Sequence, residues 1–148
     1  MYHYKKYIQM PRKDIYHDTV KVALEKDGWV IIKENLNLSV DDTPLYADLG
    51  AEAVFVAERK GEKAAFEIKT FGGQSFVTNL HEAVGQYGVY KSALELIYPT
   101  WNIYLAVPES TYLAYFLKPF IQKVMRDHHI NLVVYNTQNQ IITQWIIQ

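Results

Sequence analysis

The run Trp101–Val107 constrains the fold most, because it is apolar on both faces. A strand of that kind has no solvent side, so it belongs inside a sheet that is covered above and below. The neighbouring segments indicate what covers it. Ala53–Ala57 and Ala64–Ile68 are β-rich runs that straddle the polar turn Arg59–Glu62, which predicts an antiparallel hairpin. Between the hairpin and Trp101 lies a helix expected from Asn79 to about Tyr98. Glu82, three residues after Asn79, would complete a variant capping box there, and Pro99 is the stop.

Upstream, Tyr16, Val20, Ala23 and Leu24 share one face of a helix predicted over Asp14–Asp27. Asp14 is placed to cap it, and Gly28 to end it in the left-handed conformation. Trp29–Ile32 reads as a strand, Asp41–Pro44 as a turn, and Leu45–Glu52 as a short extended segment. Downstream, a helical stretch opens at Pro108–Ser110, bends or restarts at Pro119 and ends near His129. Leu132–Tyr135 and Ile141–Ile147 form a closing hairpin around Asn136–Asn139, a strong two-residue turn region. The order αβββαβαββ describes a mixed α/β layer protein. At 148 residues it fits one domain over residues 10–148, with residues 1–9 as an N-terminal extension.

Composition narrows the chemistry. With no cysteine there is no disulfide framework, thiolate metal site or cysteine nucleophile. Lysine and arginine total 15 against 16 acidic residues, so any nucleic-acid contact relies on a local patch rather than bulk charge. The best such cluster is Lys5, Lys6, Arg12 and Lys13. No stretch approaches a membrane span, and the opening residues lack a secretory apolar region, so a cytoplasmic protein is expected. The 12 tyrosines and 3 tryptophans suit either a core or an interface.

The chemistry-bearing segment runs from Tyr46 to Lys69. Asp48 is followed 19 residues later by Glu67, and Lys69 stands two beyond that. On a strand Glu67 and Lys69 project from one face, while Phe66 and Ile68 project from the other, apolar one. Two charged groups on one side of a half-buried strand need a partner. A hard divalent cation, Mg²⁺ or Mn²⁺, would suit Asp48, Glu67 and the Ile68 carbonyl, since such ions take oxygen ligands. It would acidify water and polarise a phosphodiester, with Lys69 orienting that water or stabilising the growing charge. The plain alternative is that Glu67 and Lys69 are a solvated strand face.

In this order the chain resembles the PD-(D/E)xK nuclease superfamily, which implies a restriction-endonuclease-like mixed sheet flanked by helices. The shared αβββαβ core would carry an added C-terminal helix and hairpin. Gln86-Tyr-Gly-Val-Tyr90 resembles the Gln-x-x-x-Tyr motif of its RecB-like branch, which implies that Gln86 and Tyr90 support the site. The alternative makes Tyr90 a core residue and Gln86 a surface one. His17 stands where many relatives carry a glutamate in the first helix, 11 residues before Gly28. It either reaches the metal site through water or is structural, so one or two ions are possible.

The resemblance to the XisH family covers nearly the whole chain from Met10. It rests on Met10-Pro-Arg-Lys-Asp-Ile-Tyr-His17, Lys26-Asp-Gly-Trp29, Asp48-Leu-Gly-Ala-Glu52 and Phe66-Glu-Ile-Lys-Thr-Phe71. Gly85-Gln-Tyr87, Tyr104-Leu-Ala-Val-Pro108 and Trp145-Ile complete it. These are the controlling factors for fdxN element excision in cyanobacteria. The resemblance implies programmed DNA rearrangement beside a small XisI-like partner protein. The expected activity is a metal-dependent DNA endonuclease, with a homodimer as the natural way to cut both strands. The alternative is a nuclease-fold accessory protein that binds DNA or the partner without cutting.

Gly72-Gly73 lacks the surroundings of a phosphate-binding loop, and the serines lack a nucleophile-elbow context. Gly85 and Gly88 interrupt a helix at about 1 kcal/mol each, which points to close approach by DNA, a helix or another chain.

Overall fold

A computed structural model describes residues 12–45, 53–73 and 75–148, with the side chains of residues 12–15 outside the description. The elements run in chain order as α1 (Arg12–Lys26), β1 (Val30–Lys33), β2 (Leu38–Val40), β3 (Thr43–Leu45), β4 (Ala53–Arg59) and β5 (Glu62–Ile68). There follow α2 (Phe76–Ile97), β6 (Asn102–Pro108), the short α3 (Glu109–Thr111), a π-helical turn over Tyr112–Phe116, α4 (Pro119–Asp127), β7 (Leu132–Asn136) and β8 (Ile141–Ile146). Six strands form one mixed sheet in the order β1-β4-β5-β6-β7-β8, and β2 and β3 form a separate hairpin.

The strand directions follow from the connections. β1, β4 and β5 pair antiparallel, β4 and β5 through the tight Lys60–Gly61 turn, whereas β5, β6 and β7 pair parallel because α2 and α4 carry the chain back across. β6 is therefore the interior strand that its two-sided apolarity requires. Side chains alternate between two cores. On one face Phe55, Phe66, Ile68, Ala106 and Val133 pack against Val20, Ala23 and Leu24 of α1. On the other, Val54, Val56, Ala65, Leu105 and Val134 pack against α2 and α4 through Tyr87, Tyr90, Leu94 and Met125.

Several boundaries differ from the sequence expectation. α1 begins at Arg12, so Asp14 lies in its first turn rather than before it. Gly28 at φ +92° follows the helix, as its left-handed tolerance suggests. α2 starts at Phe76, three residues before Asn79, and its N-cap is Ser75, whose hydroxyl accepts from the Thr78 backbone N–H at 3.2 Å. Asn79 is buried in the helix instead of capping it, and Glu82 is left for another role. Around Asp41–Asp42 the chain forms the β2–β3 hairpin, with both aspartates at positive φ as a tight primed turn demands. The final hairpin closes through a wider loop, in which the Asn136 carbonyl side chain accepts from the backbone N–H of Gln138 and Asn139.

Segments far apart in sequence meet in one aromatic cluster. Trp29, Phe66, Tyr104 and Trp145 touch with ring centroids 5.1–6.2 Å apart. The Arg59 guanidinium lies 4.5 Å from the Trp29 ring and 5.5 Å from that of Trp145, and it pairs with Asp27 at 2.7 Å. This fastens the end of α1 to the β4–β5 turn and to β8. Among the described residues no helix is long and apolar enough to cross a membrane.

Candidate metal-binding site

Glu67 and Lys69 sit where β5 ends. Their neighbours Phe66 and Ile68 turn into the α1-side core, so strand alternation directs both charged side chains toward α2. That face is covered rather than half-open: Glu67 is 0% exposed and Lys69 2%. The reading of this pair as a solvated strand face is thereby excluded. The expectation of a half-buried strand is corrected too, because α2 closes over it.

The two groups are compensated differently. The Lys69 ammonium donates to Glu82 Oε2 at 2.8 Å, an ion pair in which the lysine is buried and Glu82 is about one-third exposed, at 35%. Neither carboxylate oxygen of Glu67 has a hydrogen-bond partner among the described residues. Burial accordingly pushes the Glu67 carboxyl up to about 8, against the opposing pull of the Lys69 charge. An acid held this way is expensive when ionised unless a cation joins it.

Helix α2 supplies the wall. Glu82, Gln86 and Tyr90 follow at four-residue spacing and so form one row along the helix. Gln86 is half-buried with its Oε1 closed off from solvent, and Tyr90 is buried. The Tyr90 hydroxyl donates to the Leu45 carbonyl at 3.4 Å. Tyr87, on the core side, donates to the Ile103 carbonyl and accepts from the Asn131 backbone N–H, each at 3.0 Å, which locks α2 to β6 and to the start of β7.

Asp48 lies outside the described residues, as do Lys5 and Lys6, and the side chains of Arg12 and Lys13 do as well. The chain on either side of Asp48 is described. Leu45 is tied to Tyr90 of α2, and Ala53 pairs with Ile68 at the Glu67–Lys69 end of β5. Ile68 contributes its side chain to the α1-side core, leaving only its backbone for a ligand. His17 meets Phe55 edge-on at 5.9 Å, so it approaches the sheet from the α1 face while Glu67 looks toward α2. Among the described residues no three acidic or imidazole groups converge to hold a metal ion.

Glu82 is the site residue that sequence reasoning passed over. Its position three after Asn79 suggested a capping box, and that reading concealed its place on the row with Gln86 and Tyr90. The available signal was an acid four residues before Gln86 on a helix already assigned to the site.

Fold and site together define a three-layer α/β protein whose mixed sheet presents a buried glutamate and lysine to a long crossover helix. The XisH family model matches residues 10–143, and the chain belongs to the XisH family. It is similar to the crystal structure of an XisH family protein from Nostoc punctiforme PCC 73102, with 36% identity and a TM-score of 0.82 over 89% of this chain and 98% of that one. A structure described as an fdxN element excision controlling factor protein from Anabaena variabilis is similar to the same degree, with 36% identity, a TM-score of 0.82, and coverage of 90% and 98%. No curated protein matches the chain.

Proposed function

We propose that this protein is a Mg²⁺- or Mn²⁺-dependent DNA endonuclease acting in programmed element excision. The observation that carries the reading is the Glu67 carboxylate, buried without a hydrogen-bond partner among the described residues and two positions from Lys69. A further support is chain order: α1, β1, β4, β5, α2 and β6 run as αβββαβ, with β5 parallel to β6, as the nuclease resemblance implies.

The donor set suits a hard cation. Glu67, the Ile68 carbonyl and Asp48 would offer it oxygen ligands only. When bound, such an ion supplies positive charge that polarises a phosphodiester and acidifies water. The chain's own residues do the rest. Glu67 holds negative charge in a dry setting, where it binds a cation strongly. Lys69 donates toward the attacking water or the phosphate, and Glu82 fixes where its ammonium stands. Tyr90 steadies the chain entering the Asp48 segment through Leu45. Gln86, between Glu82 and Tyr90 on α2, lends an amide to the same wall.

DNA is the substrate in this reading, a homodimer presents two sites to the two strands, and a small XisI-like protein is the partner. A second reading keeps the fold without the reaction: an accessory protein that binds DNA or the partner. It is favoured by the engagement of Lys69 with Glu82. Supercoiled and branched DNA, incubated with Mg²⁺ or Mn²⁺ and either wild type or Glu67→Ala, separates the two. Cutting by wild type alone supports the nuclease. The absence of cutting, together with retained DNA or partner binding, supports the accessory protein.

A further inference from the structure

Among the described residues the outward side of α2 is uncovered where its inward side holds the site. A groove of about 920 Å³ lies between the first half of α2 and the π-helical turn with α4. Its walls are apolar: Phe76 stacks on Tyr115 at 4.0 Å, and Val77 and Phe120 are 57% and 69% exposed. Exposed apolar side chains grouped in one concavity mark an interaction surface more often than they mark chance. The π-helical turn contributes by setting Phe116 into the core while Tyr115 is turned to the groove.

Two features select the occupant. Gly85 lies in the groove on a well-formed helix, and a Cβ built there meets nothing within 4 Å among the described residues. Packing among the described residues therefore gives no reason for a residue that weakens the helix, whereas a second backbone approaching closely gives one. The polar rim consists of Lys118, His81 and His128 with Ser75, and no carboxylate lines the groove among the described residues. We propose that this groove receives an amphipathic helix of a partner protein, with an apolar contact face and acidic flanks. Its apolar ridge lies along Phe76, Tyr115 and Phe120 and crosses α2 at Gly85, while its carboxylates meet Lys118 and the imidazole N–H groups. A second copy of this chain fits less well, because a two-fold contact presents the same face of the partner, and that face brings no carboxylate to Lys118 among the described residues. The proposal stands whether or not Glu67 serves in cleavage.

The test uses the full chain and two labelled synthetic helical peptides of about 18 residues. They share one leucine face and carry either glutamate or lysine on the flanks. The Glu-flanked peptide is expected to bind saturably and more weakly as salt rises, and at least about tenfold more tightly than the Lys-flanked one. Gly85→Leu puts a side chain into the groove from a position where a Cβ meets nothing within 4 Å among the described residues, and Phe120→Ser removes an exposed wall. Each should weaken that binding at least about tenfold, with circular dichroism and thermal melting still native. Failure of the Glu-flanked peptide to bind, equal affinity for both peptides, or binding unchanged in both variants would overturn the proposal. A wild-type dimer in sedimentation that Gly85→Leu dissociates would overturn it as well, assigning the groove to a second copy.

Discussion

Lys69 donates to Glu82 across 2.8 Å, while Glu67, on the same face of β5, has no hydrogen-bond partner among the described residues. The lysine's charge is thus directed away from its neighbour in sequence and into helix α2. Burial, against the remaining pull of the Lys69 charge, raises the Glu67 carboxyl to about 8 in the metal-free protein. Glu82→Gln keeps the shape and removes the charge that Lys69 donates to. A loss of about 1.5–3 kcal/mol is expected, as for hydrogen bonds to charged groups, read as a lower urea midpoint at unchanged slope.

The raised Glu67 carboxyl makes stability depend on pH. Its folded value of about 8 stands above the ordinary 4.5, so the folded state holds a proton that the unfolded chain releases. Its contribution is complete below the ordinary value and declines as pH rises from there through 8. Urea titrations of metal-free protein across that window should show wild type weakening steadily. Glu67→Gln, neutral throughout, should lose this part of the slope.

Tyr87 holds α2 to the parallel part of the sheet through both lone pair and proton of its hydroxyl. Tyr87→Phe leaves the Asn131 backbone N–H without that acceptor, whereas the Ile103 carbonyl keeps the Asn131 side-chain amide at 3.4 Å. The expected cost is about 1–3 kcal/mol, measured by the same denaturation, with little change in helix content by circular dichroism.

Capping discriminates between the expected and the observed start of α2. Ser75→Ala should cost about 0.5–2 kcal/mol, because Ser75 satisfies the Thr78 N–H. Thermal melts of that variant should show the lower midpoint, with the α2 fold otherwise retained by circular dichroism.

Much of the layout was legible because long apolar patterns reflect burial directly. Trp101–Val107 announced an interior strand, and the Ala53–Ile68 hairpin and the helix after it announced the crossover that makes β5 and β6 parallel. Short elements were not legible. β2 and β3 are three residues each, with Pro44 inside one of them, and proline argues against a strand unless it lies at an edge. The start of α2 was missed by three residues because Ser75 and Asn79 are both good caps by type, and only packing decides between them. At the site, the shared face of Glu67 and Lys69 follows from strand period alone. That the face is dry, and that Lys69 answers to Glu82, depends on how α2 lies across the sheet, which no local pattern encodes. The aromatic cluster shows the same limit: the blocks around Trp29, Phe66, Tyr104 and Trp145 read as separate motifs, and only the fold makes them one contact.

The most direct test of the account is calorimetric titration of Mn²⁺ into wild type and Glu67→Gln at a pH above 8, where the wild-type carboxyl ionises. The account predicts saturable binding to wild type that Glu67→Gln abolishes while remaining folded. Equal binding to both proteins, or none to wild type, would contradict the assignment of Glu67 as a metal ligand.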